Sequence, residues 1–111
     1  MIRIVLLTIV LSVANTVFAF DHNHAAFAKL LQQNVKRRER QTLVNYFRIK
    51  QHPELIKGYI SSITAVTLNE FNQFSSNQRL AFLINAYNAL TIKLIVDNYP
   101  LNSIKDIGNF F

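Results

Sequence analysis

The sequence has no cysteine, and only two glycines, two prolines and six acidic residues in 111. Without cysteine the chain holds no disulfide, no zinc–thiolate site and no thiol nucleophile. It contains no glycine-rich phosphate loop, no H-E-x-x-H zinc motif and no G-x-S-x-G nucleophile elbow. The six carboxylates are scattered, and no two form an obvious acid–base pair. Metal binding has little to build on. His22 and His24 are two residues apart, a spacing that points them to different sides of a helix, and no third ligand is near. No catalytic residue, metal or cofactor is implied. Internal repeats, low-complexity tracts and linkers are also missing, so one domain at most is expected.

What is present begins with an export signal. One positive charge, Arg3, precedes an apolar run over 4–14 broken only by Thr8 and Ser12. Val17 and Ala19 occupy the −3 and −1 positions of a cleavage site, so 1–19 read as a secretory signal peptide forming its own helix. The rival reading, an uncleaved membrane anchor, needs ~20 apolar residues, more than this run supplies. A periplasmic or extracellular location is expected. Removal of the signal leaves 92 residues, 20–111. A domain of that size buries about 60–65% of its unfolded surface, so the core carries its stability without covalent help.

Twelve basic residues against six acidic ones give a net charge of +6. Lys36, Arg37, Arg38 and Arg40 fall within five residues. The favoured reading is a solvated turn between two helices; the functional one is contact with an anionic surface. No aromatics interleave with these charges, which argues against nucleic acid as a partner. Membrane contact is then confined to export or to weak attraction through this basic cluster.

The chain is organised around one long helix, expected over about 76–98. Ser75 and Gln78 have the spacing of a capping box, and Pro100 ends the helix by biasing Tyr99 towards an extended conformation. Arg79, Ala86, Lys93 and Asp97 share one narrow stripe, and nearly everything else is apolar. That pattern predicts a rod solvated along one thin line and buried on its other sides. Asn85 and Asn88 lie roughly 120–180° from the charged stripe. A buried amide without partners costs on the order of 1–3 kcal/mol. Two readings follow: the amides tie down a neighbouring loop, which is favoured, or they line a polar pocket. Both residues are candidate binding residues on that second reading.

Other helices are expected around the rod. Asp21 is placed to cap a helix running to about Lys36, with Phe27, Leu30, Leu31 and Val35 on one face. Residues 42–48 suit a short extended segment, with no convincing second strand to pair it. Pro53 opens a helix through about Thr64, with His52 as its cap and Gly58 implying close packing against another helix. A short helical turn over 67–74 leads into Ser75, and Ser103 with Asp106 signals a further helix start. The fold expected is mainly α: a small helical domain around one central helix, with at most one short extended segment.

Residues 80–107, LAFLINAYNALTIKLIVDNYPLNSIKDI, resemble the signature block of a family called the domain of unknown function numbered 547. The stretches FDHNHAAFAKLLQQNV (20–35) and LVNYFRIK (43–50) resemble its weaker upstream blocks, so the resemblance covers nearly all of 20–111. Asn85, Tyr87, Asn88, Tyr99, Pro100 and Ser103 match the signature, and no chemical role comes with them. The resemblance implies export in bacterial members. It also implies a domain that continues into a segment carrying histidine and cysteine, of which this chain is the N-terminal portion. Partners expected on that basis are the missing C-terminal segment or another envelope protein. The leading functional expectation is a non-catalytic structural or interaction role. The alternative is the inactive half of a hydrolase-like or transferase-like thiol enzyme whose nucleophile lies in the missing segment, with Asn85 and Asn88 as orienting amides.

Overall fold

The structure, a computed structural model, describes residues 19–103, 105 and 107. The expected signal peptide up to residue 18, most of the helix expected from Ser103, and the terminal Phe110 and Phe111 lie outside the described residues. In chain order the elements are α1 (Ala25–Asn34), β1 (Val35–Arg38), β2 (Gln41–Val44), α2 (Tyr46–Gln51), α3 (Glu54–Thr64), α4 (Leu68–Gln73) and α5 (Ser76–Asp97). The domain is small and mainly helical, with one long helix and one short hairpin.

Helix α5 forms where its end signals place it. The Ser75 hydroxyl accepts from the Gln78 N–H at 3.1 Å, and Gln78 Oε1 accepts from the Ser75 N–H at 2.9 Å. Two of the helix's free donors are thereby satisfied reciprocally. At the other end Asn98 is the C-cap and donates through Nδ2 to the Leu94 carbonyl at 2.8 Å. Short α4 begins with a single N-cap bond, the Thr67 hydroxyl accepting from the Glu70 N–H.

The extended segment does have a partner. Val35–Arg38 pairs antiparallel with Gln41–Val44, Val35 opposite Val44 and Arg38 opposite Gln41. The turn between them puts Glu39 at φ 55°. Three consecutive basic residues conceal β1 in the sequence, because charge masks the alternation of a strand. Helix α1 accordingly ends at Asn34, short of Lys36. The second half of the extended segment is helical instead: Asn45 accepts from the Arg48 N–H at 3.0 Å and caps α2. The Asn45 N–H donates to the Asn34 carbonyl at 2.8 Å, closing the hairpin's open end. His52 ends α2 as its C-cap, and Pro53, one residue later, holds the N-cap position of α3 without a side-chain cap.

Helix α1 packs on α3, while α3 and α2 both pack on α5. The core joins Phe27 and Leu30 of α1, Ile49 of α2, and Ile56, Tyr59 and Ile63 of α3 to Phe82, Ala89, Ile92 and Val96 of α5. Phe20, Phe71 and Phe74 extend it as an aromatic cluster around Phe82, with ring centroids 5.1, 5.6 and 5.9 Å from that residue. Helix α5 is therefore not an encircled rod. Its buried residues fall on one stripe within about 80° of arc. The charged stripe borders that buried stripe instead of opposing it, and Ala86 packs against the core. Gly58 does not mark a close helix crossing either: a side chain there would meet nothing within 4 Å.

Candidate functional site

The face of α5 turned away from the core is the most unusual surface among the described residues. Leu80, Leu83, Ile84, Tyr87 and Leu90 are all exposed, Tyr87 to 73% and Leu80 to 59% of full accessibility, whereas Ala89 on the inner stripe is at 0%. These five lie within about 60° of Tyr87 around the helix axis, forming one continuous apolar strip three turns long. They offer on the order of 500–600 Å² of apolar surface, the upper end of what a monomer ordinarily leaves bare. By length and composition α5 is also long and apolar enough to cross a membrane, with a best-window mean hydropathy of 1.4. The sequence carried this signal: Leu80, Leu83, Ile84 and Tyr87 follow i, i+3, i+4, i+7 spacing. Two apolar faces back to back read as one buried rod, which is how the outer face escapes notice.

The candidate binding residues are set apart from one another. Asn88 is exposed at one rim of the outer face, and Asn85 is half-buried towards the core side. Neither amide hydrogen-bonds to another described residue. Neither residue lines the groove beside His24, the one around Arg48 or the one beside Tyr99. Of the basic cluster, Lys36, Arg37 and Arg38 lie along β1 and Arg40 in the hairpin turn, all exposed and without ion pairs among the described residues. Alternation along β1 sends Lys36 and Arg38 to one side and Arg37 to the other, so the charge is not gathered on one face.

A second feature, which no local pattern in the sequence announces, lies between α1 and α3. His24 is only 7% exposed, and its Nδ1 sits 2.6 Å from the Tyr59 hydroxyl. Its backbone is left-handed at φ 51°, and its Nε2 is buried without a partner among the described residues. Burial lowers the His24 pKa below its usual 6.5, partly offset by the nearby Asp21 charge. Burial also pushes the Tyr59 hydroxyl up to about 12. Asp21 turns its carboxylate to the N–H groups of Ala25 and Asn23, at 3.0 and 2.9 Å, and these bonds lower its pKa. Beside this pair runs a groove of about 500 Å³ between α1 and α3, bordered by Ala25, Gly58, Ser62 and Ala65. Tyr59, which lines this groove, stacks on Phe27 with centroids 4.9 Å apart and planes 8° from parallel. The arrangement is that of a polar pair locking α1 to α3. No group of three or more His, Asp or Glu side chains able to hold a metal ion occurs among the described residues.

No curated protein and no solved structure matches the chain. The stretches 20–35 and 43–50 lie outside the part of the chain that matches a known family, so the likeness is narrower than the upstream resemblance implied. Residues 71–110, which contain the whole of α5 with both its faces, match the family described as Protein of unknown function, DUF547.

Proposed function

We propose that this protein is an exported, non-catalytic helical scaffold that works by docking through the outer face of α5. The single observation behind this reading is the exposure of Leu80, Leu83, Ile84, Tyr87 and Leu90 on one strip of a helix whose opposite stripe is fully engaged in the core. Apolar patches of that extent on soluble proteins mark interaction surfaces, because leaving them in water forfeits about 25 cal/mol per Å². Export is supported by the apolar run over 4–14 and by Val17 and Ala19 ahead of Phe20.

A photo-crosslinking residue placed at Tyr87 of the protein expressed with its own leader tests both parts. The expected result is a mature species beginning at Phe20 that gives one discrete adduct on illumination. The same probe at exposed Asn72, away from the strip, should give none. A folded protein without an adduct from positions 80, 84 or 87 would remove the docking reading, and an unprocessed, cell-retained chain would remove export.

A further inference from the structure

We infer that the occupant of the outer α5 face is a second copy of this chain, docked antiparallel about a two-fold axis at Tyr87; this deepens the docking reading and rests on it. The face is self-complementary about that residue. Leu80 and the half-buried Leu94 lie seven residues either side of Tyr87, and Leu83 and Leu90 lie four before and three after. In an antiparallel pair, the dyad sets Leu80 against the second copy's Leu94 and Leu83 beside its Leu90, while Tyr87 meets its own counterpart. Such an isologous contact closes on itself and leaves no further face to propagate.

The rims agree with this pairing. Arg79 and Asp97 lie on the same edge of the strip, at the same angle around the helix. A two-fold at Tyr87 brings each Arg79 to within about 3 Å, measured along the axis, of the second copy's Asp97. Arg79 has no ion pair among the described residues, and Asp97 meets only Lys93 in the next turn. On the opposite edge the same operation sets the two copies' Asn88 within about 3 Å of each other along the axis, at the polar rim of the contact.

The area is sufficient. Two such faces mated would bury roughly 1,000–1,200 Å² from these apolar side chains alone, the lower bound for a specific interface, before rim residues are added. A parallel pairing would place Arg79 beside Arg79 and would lose this match.

Sedimentation velocity of the full chain in detergent-free buffer tests the inference. The expected result is a concentration-dependent dimer that Tyr87→Asp converts to monomer with helical content unchanged. Arg79→Asp and Asp97→Arg should each weaken the dimer by roughly tenfold, and the double swap should recover most of that loss. A monomeric wild type overturns the inference, as does association indifferent to Tyr87→Asp, such as clustering through the apolar 4–14 run. Swaps that weaken the dimer additively, without recovery, overturn the antiparallel arrangement. Binding of the monomer to phosphatidylglycerol vesicles that is lost in Tyr87→Asp would give the face to a membrane surface. A monomer whose Tyr87 photo-adduct is another protein overturns self-association but keeps docking, whereas a monomer with no adduct overturns both.

Discussion

The Tyr59 hydroxyl lies 2.6 Å from Nδ1 of His24, joining the residue that opens α1 to the middle of α3 across 35 positions of sequence. His24 is in the left-handed region at φ 51°, a conformation that a non-glycine residue holds only when its surroundings fix it. Tyr59→Phe keeps the ring stacked on Phe27 and removes only the oxygen. With Nδ1 then unpartnered, the substitution should cost about 1–3 kcal/mol in urea unfolding near neutral pH. An unchanged midpoint would mean that the pair does not hold the two helices together.

The same histidine sets an acid limit on stability. Its folded pKa is lowered, mainly by burial, with Asp21 opposing and His22 adding to the effect. The unfolded chain therefore takes up a proton first as pH falls. Stability from this site should be complete above about pH 6.5 and lost as pH drops from there through the folded pKa. Asp21, also lowered, acts with the same sign but only below its ordinary value of 3.8. Tyr59 acts with the opposite sign: its pKa, raised from 10.0 to about 12, makes stability fall as pH rises between those values. Melting temperatures across pH 5–8 should decline on the acid side in the wild type. They should flatten in His24→Asn, which tolerates positive φ and does not titrate. A wild-type profile already flat across that range would contradict the assignment.

Much of this architecture could be read from the chain, and the exceptions share a cause. Helix α5 was legible because local chemistry states its ends: Ser75, Gln78 and Pro100 act within a few residues of themselves. Helix α3 is legible from Pro53, which marks its start. What escaped depended on distant partners. Strand β1 exists because residues 41–44 pair with it, and Lys36, Arg37 and Arg38 hide its pattern. The bare outer face of α5 escapes notice because periodicity shows which residues share a face, but not whether another element covers it. Asn85 and Asn88 both lie far from the charged stripe, yet one borders the core and the other lies in the open. The His24–Tyr59 pair is purely tertiary, and nothing around either residue announces it.

The capping box gives a local test. Ser75→Ala removes the acceptor for the Gln78 N–H and should destabilise the protein by about 1 kcal/mol, whereas Ser75→Asp should retain most of the cap. Thermal unfolding of the two variants side by side checks this. Equal losses would show that the helix start is set by packing of Phe74 and Phe82 instead.

The basic hairpin should be dispensable for folding. Lys36, Arg37, Arg38 and Arg40 are exposed, and replacing all four with Gln should change stability by no more than about 0.5 kcal/mol per site. Retention of the protein on anionic vesicles should be weak and should vanish as salt shortens the screening length from about 10 Å at 0.1 M to 3 Å at 1 M. Tight binding that survives high salt, and is lost in the Gln variant, would instead make this cluster a docking element.

The division of α5 into an inner stripe that holds the fold and an outer strip that is free of it is tested most directly by one comparison. Unfolding free energies of Ile92→Ala and Leu83→Ala should be measured at concentrations low enough to keep the chain monomeric. The account predicts a loss of about 2–4 kcal/mol for Ile92→Ala, from the cavity it opens in the core, and under about 0.5 kcal/mol for Leu83→Ala. Equal losses for the two would contradict it, because both sides of the helix would then be buried.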